Sequence, residues 1–185
     1  MTPDEKAVLS KAQRLSHWNA QKLFYCIGKS TQRRWTVKRG EVYFVDLGEN
    51  IGSEENKLRP VVVLQSNSYN FRAPTFTAAI ISNGPVTIPD IQVPITGNYA
   101  YTDNNGARKN LQGSIDLGQI KTVAKERIIS KKICDLAEMN TVDQKLFNAF
   151  GLTKIMTSKD NTIASLTGKV TYLKSLLAQR EDKSK

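Results

Sequence analysis

The chain is poor in the side chains that most often carry catalysis, metal binding or covalent bracing. Its 185 residues include one histidine, His17, and two cysteines, Cys26 and Cys134. A two-histidine acid–base pair within one chain is excluded, and two cysteines with no paired ligand motif cannot build a disulfide framework. A chain of this length buries roughly two-thirds of the surface its unfolded form exposes, so a core can hold it without such braces. No apolar run reaches the ~18 residues that cross a bilayer. The opening MTPDEKAVLS has neither the basic start nor the apolar core of a signal peptide. A cytoplasmic protein without membrane contact is the expectation. No His, Cys, Asp and Glu cluster has ligand spacing, and phosphate loop, dinucleotide fingerprint and nucleophile elbow are all missing. No metal or cofactor is therefore expected.

Acid is scarce too. There are 17 Asp and Glu against 27 Lys and Arg, for a net charge of +10. The excess points to a polyanionic partner or simply to solubility. Its distribution is uneven: +7 in residues 1–40, −1 in 41–128 and +4 in 129–185. The periodicity divides the chain similarly, and three regions are expected: a basic helical extension at 1–36, a β-rich domain at 37–157 and an amphipathic helical extension at 158–185.

In the first region, Thr2, Pro3 and Glu5 form a capping box with proline at the first helical position. Val8, Leu9, Ala12, Leu15 and Trp18 follow at helical spacing, Gly28 marks a stop, and the basic stretch 29–39 reads as a linker. The middle alternates β-rich runs (41–47, 60–66, 75–82, 91–95, 113–117 and 120–123) with turn segments rich in Gly, Pro, Asn, Asp and Ser. Such spacing predicts a small barrel of five to seven strands, with no room for helical crossovers. Thr141 and Gln144 read as a second capping box, opening a short helix that packs on the barrel. Ile163, Leu166, Val170, Leu173 and Leu177 make an apolar seam of about two heptads.

Arg59 stands before Pro60 at the entrance of the apolar run that follows, behind the polar loop 52–57. Its fork can donate two parallel hydrogen bonds to phosphate oxygens, or pair with Glu54, Glu55 or Asp46 as a surface ion bridge. Ser82, ahead of Asn83 and Gly84, reads alone as a strand end. Tyr99 and Tyr101 can stack a base or pack on the barrel. His17 reads as a polar position on an amphipathic helix.

The segments RGEVYFVDL at 39–47, GSE at 52–54, RPVVVLQSN at 59–67, PTFTAAIIS at 74–82 and LGQIKTVAKERI at 117–128 resemble the MazF/PemK family. These are toxin endoribonucleases, the mRNA interferases of bacterial toxin–antitoxin pairs. The resemblance spans about residues 37–155 and implies a mainly β (α+β) fold, the small SH3-like barrel of the MazF, PemK and CcdB toxins with a packed C-terminal helix. The helices at either terminus are extra to that fold. It implies Arg59 as the catalytic arginine. Ser82, 23 residues on, stands where the family usually has threonine. Serine keeps the hydroxyl and loses the methyl group that restricts rotation. Glu54 matches an assisting acidic position, Gln119 a glutamine near bound RNA, and Lys121 a basic position. Ser53, Lys57 and Thr122 complete the implied RNA contacts.

The resemblance further implies a homodimer that cleaves single-stranded mRNA without a metal and is held in check by a cognate antitoxin. Two alternatives share the fold. One is a gyrase-poisoning toxin, whose terminal Trp, Gly and Ile this chain, ending SLLAQREDKSK, lacks. The other is a non-catalytic RNA- or protein-binding module. The terminal helices are additions for which two roles compete: phosphate neutralisation by scattered lysines, or closure of the apolar sides on each other or on a second subunit. Regular apolar spacing favours closure.

Overall fold

The computed structural model of the chain describes residues 1–27, 36–103 and 105–183. It divides into two units, residues 1–146 and 147–185.

Helix α1 (Pro3–Ile27) opens as the sequence predicts. The Thr2 amide donates to Glu5 at 2.8 Å and the Glu5 amide to Thr2 Oγ1 at 3.2 Å, a reciprocal cap. Only the Trp18 end of its predicted face is buried. Trp18 alone is buried, while Val8, Leu9 and Leu15 face solvent. The Gly28 stop and most of the expected linker fall outside the described residues.

Strands β1 (Glu41–Asp46), β2 (Leu58–Val63), β3 (Thr75–Ser82), β4 (Gln92–Pro94), β7 (Ser114–Ala124) and β8 (Cys134–Asp135) form an antiparallel sheet in the order β4-β7-β3-β2-β1-β8. A short helix α2 (Asn67–Asn70) links β2 to β3, and β5 (Ala100–Thr102) pairs with β6 (Arg108–Asn110) in a separate hairpin. The curled sheet thus has six strands, within the expected five to seven, and the hairpin adds two more among the described residues. The sheet curls without joining its edge strands β4 and β8, a half-barrel.

The two predicted runs at 113–117 and 120–123 are one strand, β7, bent at an irregularity opposite Ala79 and Ile80. The missed strands β5, β6 and β8 are two or three residues long and mostly polar, with no apolar alternation to betray them.

The concave face packs Tyr43, Val45, Val61, Val63, Phe76, Ala78, Ile80 and Val123 into one cluster. The opposite face of the same strands, Val42, Val62, Ala79 and Ile81, is also buried. Burial on both faces is why 61–63 and 78–81 read as unbroken apolar runs rather than as alternation.

Helix α3 (Met139–Ala149) begins before Thr141, which lies inside its first turn. The second capping box is therefore not one. Glu138, just ahead of the helix, accepts instead from the Thr96 and Gly97 amides at 2.8 and 2.9 Å and from the Tyr99 hydroxyl at 2.7 Å. Tyr99 is thereby a packing residue, and its Ala137 contact at 2.8 Å adds to that. Val142 of α3 is fully buried.

The second unit is dominated by α4 (Thr153–Lys183), which contains the predicted seam. From Thr153 to Arg180 every residue is exposed except the half-buried Met156.

Candidate active site

Arg59 alternates along β2 with the core residues Val61 and Val63, and Ser82 along β3 with Ile80 and Ala78, so both belong to the concave face. Val62 pairs with Ala79 and Val61 with Ile80; the ladder stops there, and Arg59 and Ser82 each lie two residues beyond its last pair. Each stands at the end of its strand, where the apolar interior stops. Gly113 holds this corner tight. Its φ is +109°, and a Cβ there would come within 1.9 Å of the Ser82 carbonyl oxygen.

The loop between β1 and β2 passes over this end of the concave face. Its stem is closed by the Lys57 amide donating to Gly48 O at 2.6 Å and the Leu47 amide donating to Lys57 O at 2.8 Å. Lys57 is the one non-glycine residue with positive φ (61°) among the described residues, so its backbone turns the chain into β2. Asn50 ties the loop across itself, donating to Glu55 O at 2.6 Å.

From β7, Gln119 donates to Ser53 O at 3.1 Å and accepts from the Glu55 amide at 3.4 Å, and Lys121 pairs with Glu54 at 3.0 Å. Thr122 alternates to the other face of β7, away from these residues. The loop thus joins Ser53 and Glu54 to Gln119 and Lys121, Ser82 shares the face with Arg59 without a hydrogen bond to them, and Thr122 lies on the other face.

Arg59 Nε donates to Glu55 Oε2 at 2.8 Å. This is one of the ion bridges that the sequence left open, and Glu55 is the residue that sequence reasoning did not place in the site. Acidic character four residues before the arginine was the available signal. The pair does not exhaust the guanidinium: its two terminal nitrogens, like Ser82 Oγ, have no partner among the described residues. An arginine anchored through Nε and open at its fork is the geometry that grips a phosphate. Beside it lies a cavity of about 510 Å³ that is also lined by Asn83, Tyr101, Lys109 and Gln112. Tyr101 packs on Phe44 with ring centroids 5.4 Å apart, and Lys109 pairs with Asp103 at 2.7 Å.

A family model for PemK-like, MazF-like toxins of type II toxin–antitoxin systems matches residues 38–150, more than half the chain. The chain belongs to the PemK/MazF toxin family. Endoribonuclease MazF of Staphylococcus epidermidis is 32% identical over 118 residues, 63% of this chain and 92% of that protein. Endoribonuclease EndoA of Bacillus subtilis (strain 168) is 35% identical over 112 residues, 60% of this chain and 90% of that one. Among solved structures, an endoribonuclease from a mycobacterial species aligns with a TM-score of 0.49 at 21% identity, covering 64% of this chain and 94% of its own. The PemK/MazF match includes Arg59, Ser82 and the β1–β2 loop, and excludes all of α1 and α4.

Among the described residues, no group of three or more His, Cys, Asp or Glu side chains is placed to hold a metal ion. No helix among them is long and apolar enough to cross a membrane.

Proposed function

We propose that this protein is the toxin of a type II toxin–antitoxin pair and an endoribonuclease that cleaves single-stranded mRNA without a metal. The observation that supports this reading is the Arg59 guanidinium, fixed through Nε by Glu55 with its fork open, on the strand face that also carries Ser82.

RNA brings its own nucleophile. The 2′-oxygen attacks the adjacent phosphorus and loses its proton; the bond to the 5′-oxygen breaks and that oxygen gains a proton. A 2′,3′-cyclic phosphate and a 5′-hydroxyl end result. The protein must align these atoms and stabilise charge growing on the phosphoryl oxygens. Arg59 takes the charge. A guanidinium with a pKa above ~12 is a poor base, so its protonic role is limited to the leaving oxygen. Ser82 holds the phosphate, and Glu54 acts as weak base or positioning group. Ser53, Lys57, Gln119 and Lys121 contact RNA. For Thr122, that assignment would require the strand to present its other face.

Family membership supports a cognate antitoxin, a homodimer and a cytoplasmic setting. The division into an extension at 1–36, a barrel domain at 37–157 and an extension at 158–185 stays part of the proposal, supported by the reach of the family match. Purified, antitoxin-free protein incubated with a long RNA in EDTA tests the reading. Mapped ends should carry 2′,3′-cyclic phosphate and 5′-hydroxyl groups, and a DNA of the same sequence should stay intact. Absence of cleavage rejects the enzyme, and equal cleavage by Arg59→Ala rejects the central assignment.

A further inference from the structure

The β1–β2 loop that carries Ser53, Glu54 and Glu55 is gripped from two sides. Gln119 and Lys121 hold it from the concave face. The second grip comes from α1, outside the region matched by the family. Trp18 lies flat against the loop stem at Gly48, where a Cβ would come within 2.1 Å of the indole. Only glycine allows that approach. On the ring's other approaches stand the Arg127 guanidinium, 5.2 Å from the centroid, and Lys22 Nζ at 5.4 Å. Arg127 also donates to Asp46 O at 2.6 Å, and the Tyr25 hydroxyl donates to Asp46 Oδ2 at 2.8 Å. Burial first, and then the Asp46 carboxylate, push the Tyr25 hydroxyl up to about 12, which keeps it a donor across the physiological range.

A second line of contacts runs from α1 to the guanidinium itself. Lys11 Nζ pairs with Glu49 at 2.8 Å and donates to Asn50 O at 3.0 Å; Arg14 reinforces Glu49 at 3.4 Å. Asn50 donates to Glu55 O, and Glu55 holds Arg59 Nε. Four residues thus connect the helix to the open fork. Beyond Gly48 the loop buries no residue of its own, so polar contacts and not packing confine it. Displacement of a phosphate-gripping group by ~1 Å can cost on the order of 100-fold in rate.

We propose that α1 is a built-in clamp on the β1–β2 loop, with Trp18 as the positioning residue whose seat on Gly48 keeps Glu55 against Arg59. The clamp's catalytic consequence rests on the ribonuclease reading of Arg59; the clamp itself does not. It assigns α1 a role toward the site, in place of general phosphate neutralisation.

The test compares the full chain with Trp18→Ala and Trp18→Phe, by amide hydrogen exchange and by cleavage of a long RNA in EDTA. In Trp18→Ala, exchange at Gly48, Glu54 and Lys57 should quicken about tenfold or more while amides of β3 stay protected. The Arg59 Nε–H resonance, shifted by Glu55, should move toward that of a free guanidinium. kcat should fall about tenfold or more with KM held within about twofold, as expected when alignment and not binding is lost. Trp18→Phe, which keeps a ring on Gly48, should recover most of both signals.

Unchanged loop exchange in Trp18→Ala overturns the clamp, whatever the activity. Faster exchange with unchanged kcat overturns the positioning role, and a lowered melting temperature alone marks a merely structural one. If the unmodified chain cleaves nothing, the ribonuclease reading and the catalytic consequence fall together, while exchange and the Arg59 resonance still decide the clamp.

Discussion

The strands of the half-barrel and helix α4 are both built on regular apolar repeats, yet they end in opposite environments. In the sheet, Val45, Val61, Phe76 and Val123 are at most 1% exposed, because each strand has neighbours that complete the cluster. In α4, Ile163, Leu166, Val170, Leu173 and Leu177 are 50–61% exposed within their own unit. An apolar period names the element and the face that wants cover; it does not supply the cover. Helix α1 lies between these extremes. Of its predicted stripe, Val8, Leu9, Ala12 and Leu15 face solvent, whereas Trp18, with polar contacts from Lys11, Arg14 and Tyr25, docks the helix.

The comparison breaks first in the sheet. Phe76→Ala, which empties the centre of the concave cluster, should cost about 3–5 kcal/mol by denaturant unfolding. A loss as small as that of a surface substitution would mean that the cluster does not hold the fold. Gly113→Ala should cost about 1–3 kcal/mol, because its φ of +109° suits glycine alone and the new methyl group meets the Ser82 carbonyl. It should also lower RNA cleavage beyond its effect on the folded fraction, since Ser82 must move.

Acid should weaken the first unit through Glu138. Burial pushes its carboxyl up, but donation from the Tyr99 hydroxyl and the Thr96 and Gly97 amides outweighs this and holds it near about 2. A depressed carboxylate stabilises fully above its ordinary value of 4.5, and that contribution is lost as the pH falls through about 2. Melting temperatures between these limits should therefore drop more steeply for the native chain than for Glu138→Gln. Equal slopes would remove the tether from the account. The smallest effect is expected in α4, where Leu173→Gln should change unfolding free energy by less than about 0.5 kcal/mol. A larger loss, dependent on protein concentration, would show that the seam is covered by another chain in solution.

Local signals were legible where one residue type has one job. Thr2, Pro3 and Glu5 announced the start of α1, and the Val, Ile and Ala runs announced β2 and β3. Thr141 and Gln144 imitated a cap because a capping box is only a spacing, and a helix can begin before it. Ser82 was placed by counting from Arg59, and the two residues fall on the same face of neighbouring antiparallel strands. Glu55 escaped because four neighbouring polar residues in a loop are interchangeable on paper; the turn at Lys57 and the tie from Asn50 select which carboxylate reaches the guanidinium.

By itself, the sequence determined the family, the β-rich middle between helical ends, the scarcity of histidine and cysteine, and an arginine poised before a buried strand. The family follows from motifs shared with known proteins; the rest follow from composition, period and spacing, which are properties of the chain alone. Only the tertiary structure decided which face of α1 docks, which glutamate anchors Arg59, and that a tryptophan near the N-terminus reaches the loop of the candidate site. Such choices turn on close approach between distant segments, as at Gly48 and Gly113, where the absence of one carbon atom lets two parts of the backbone and a ring meet.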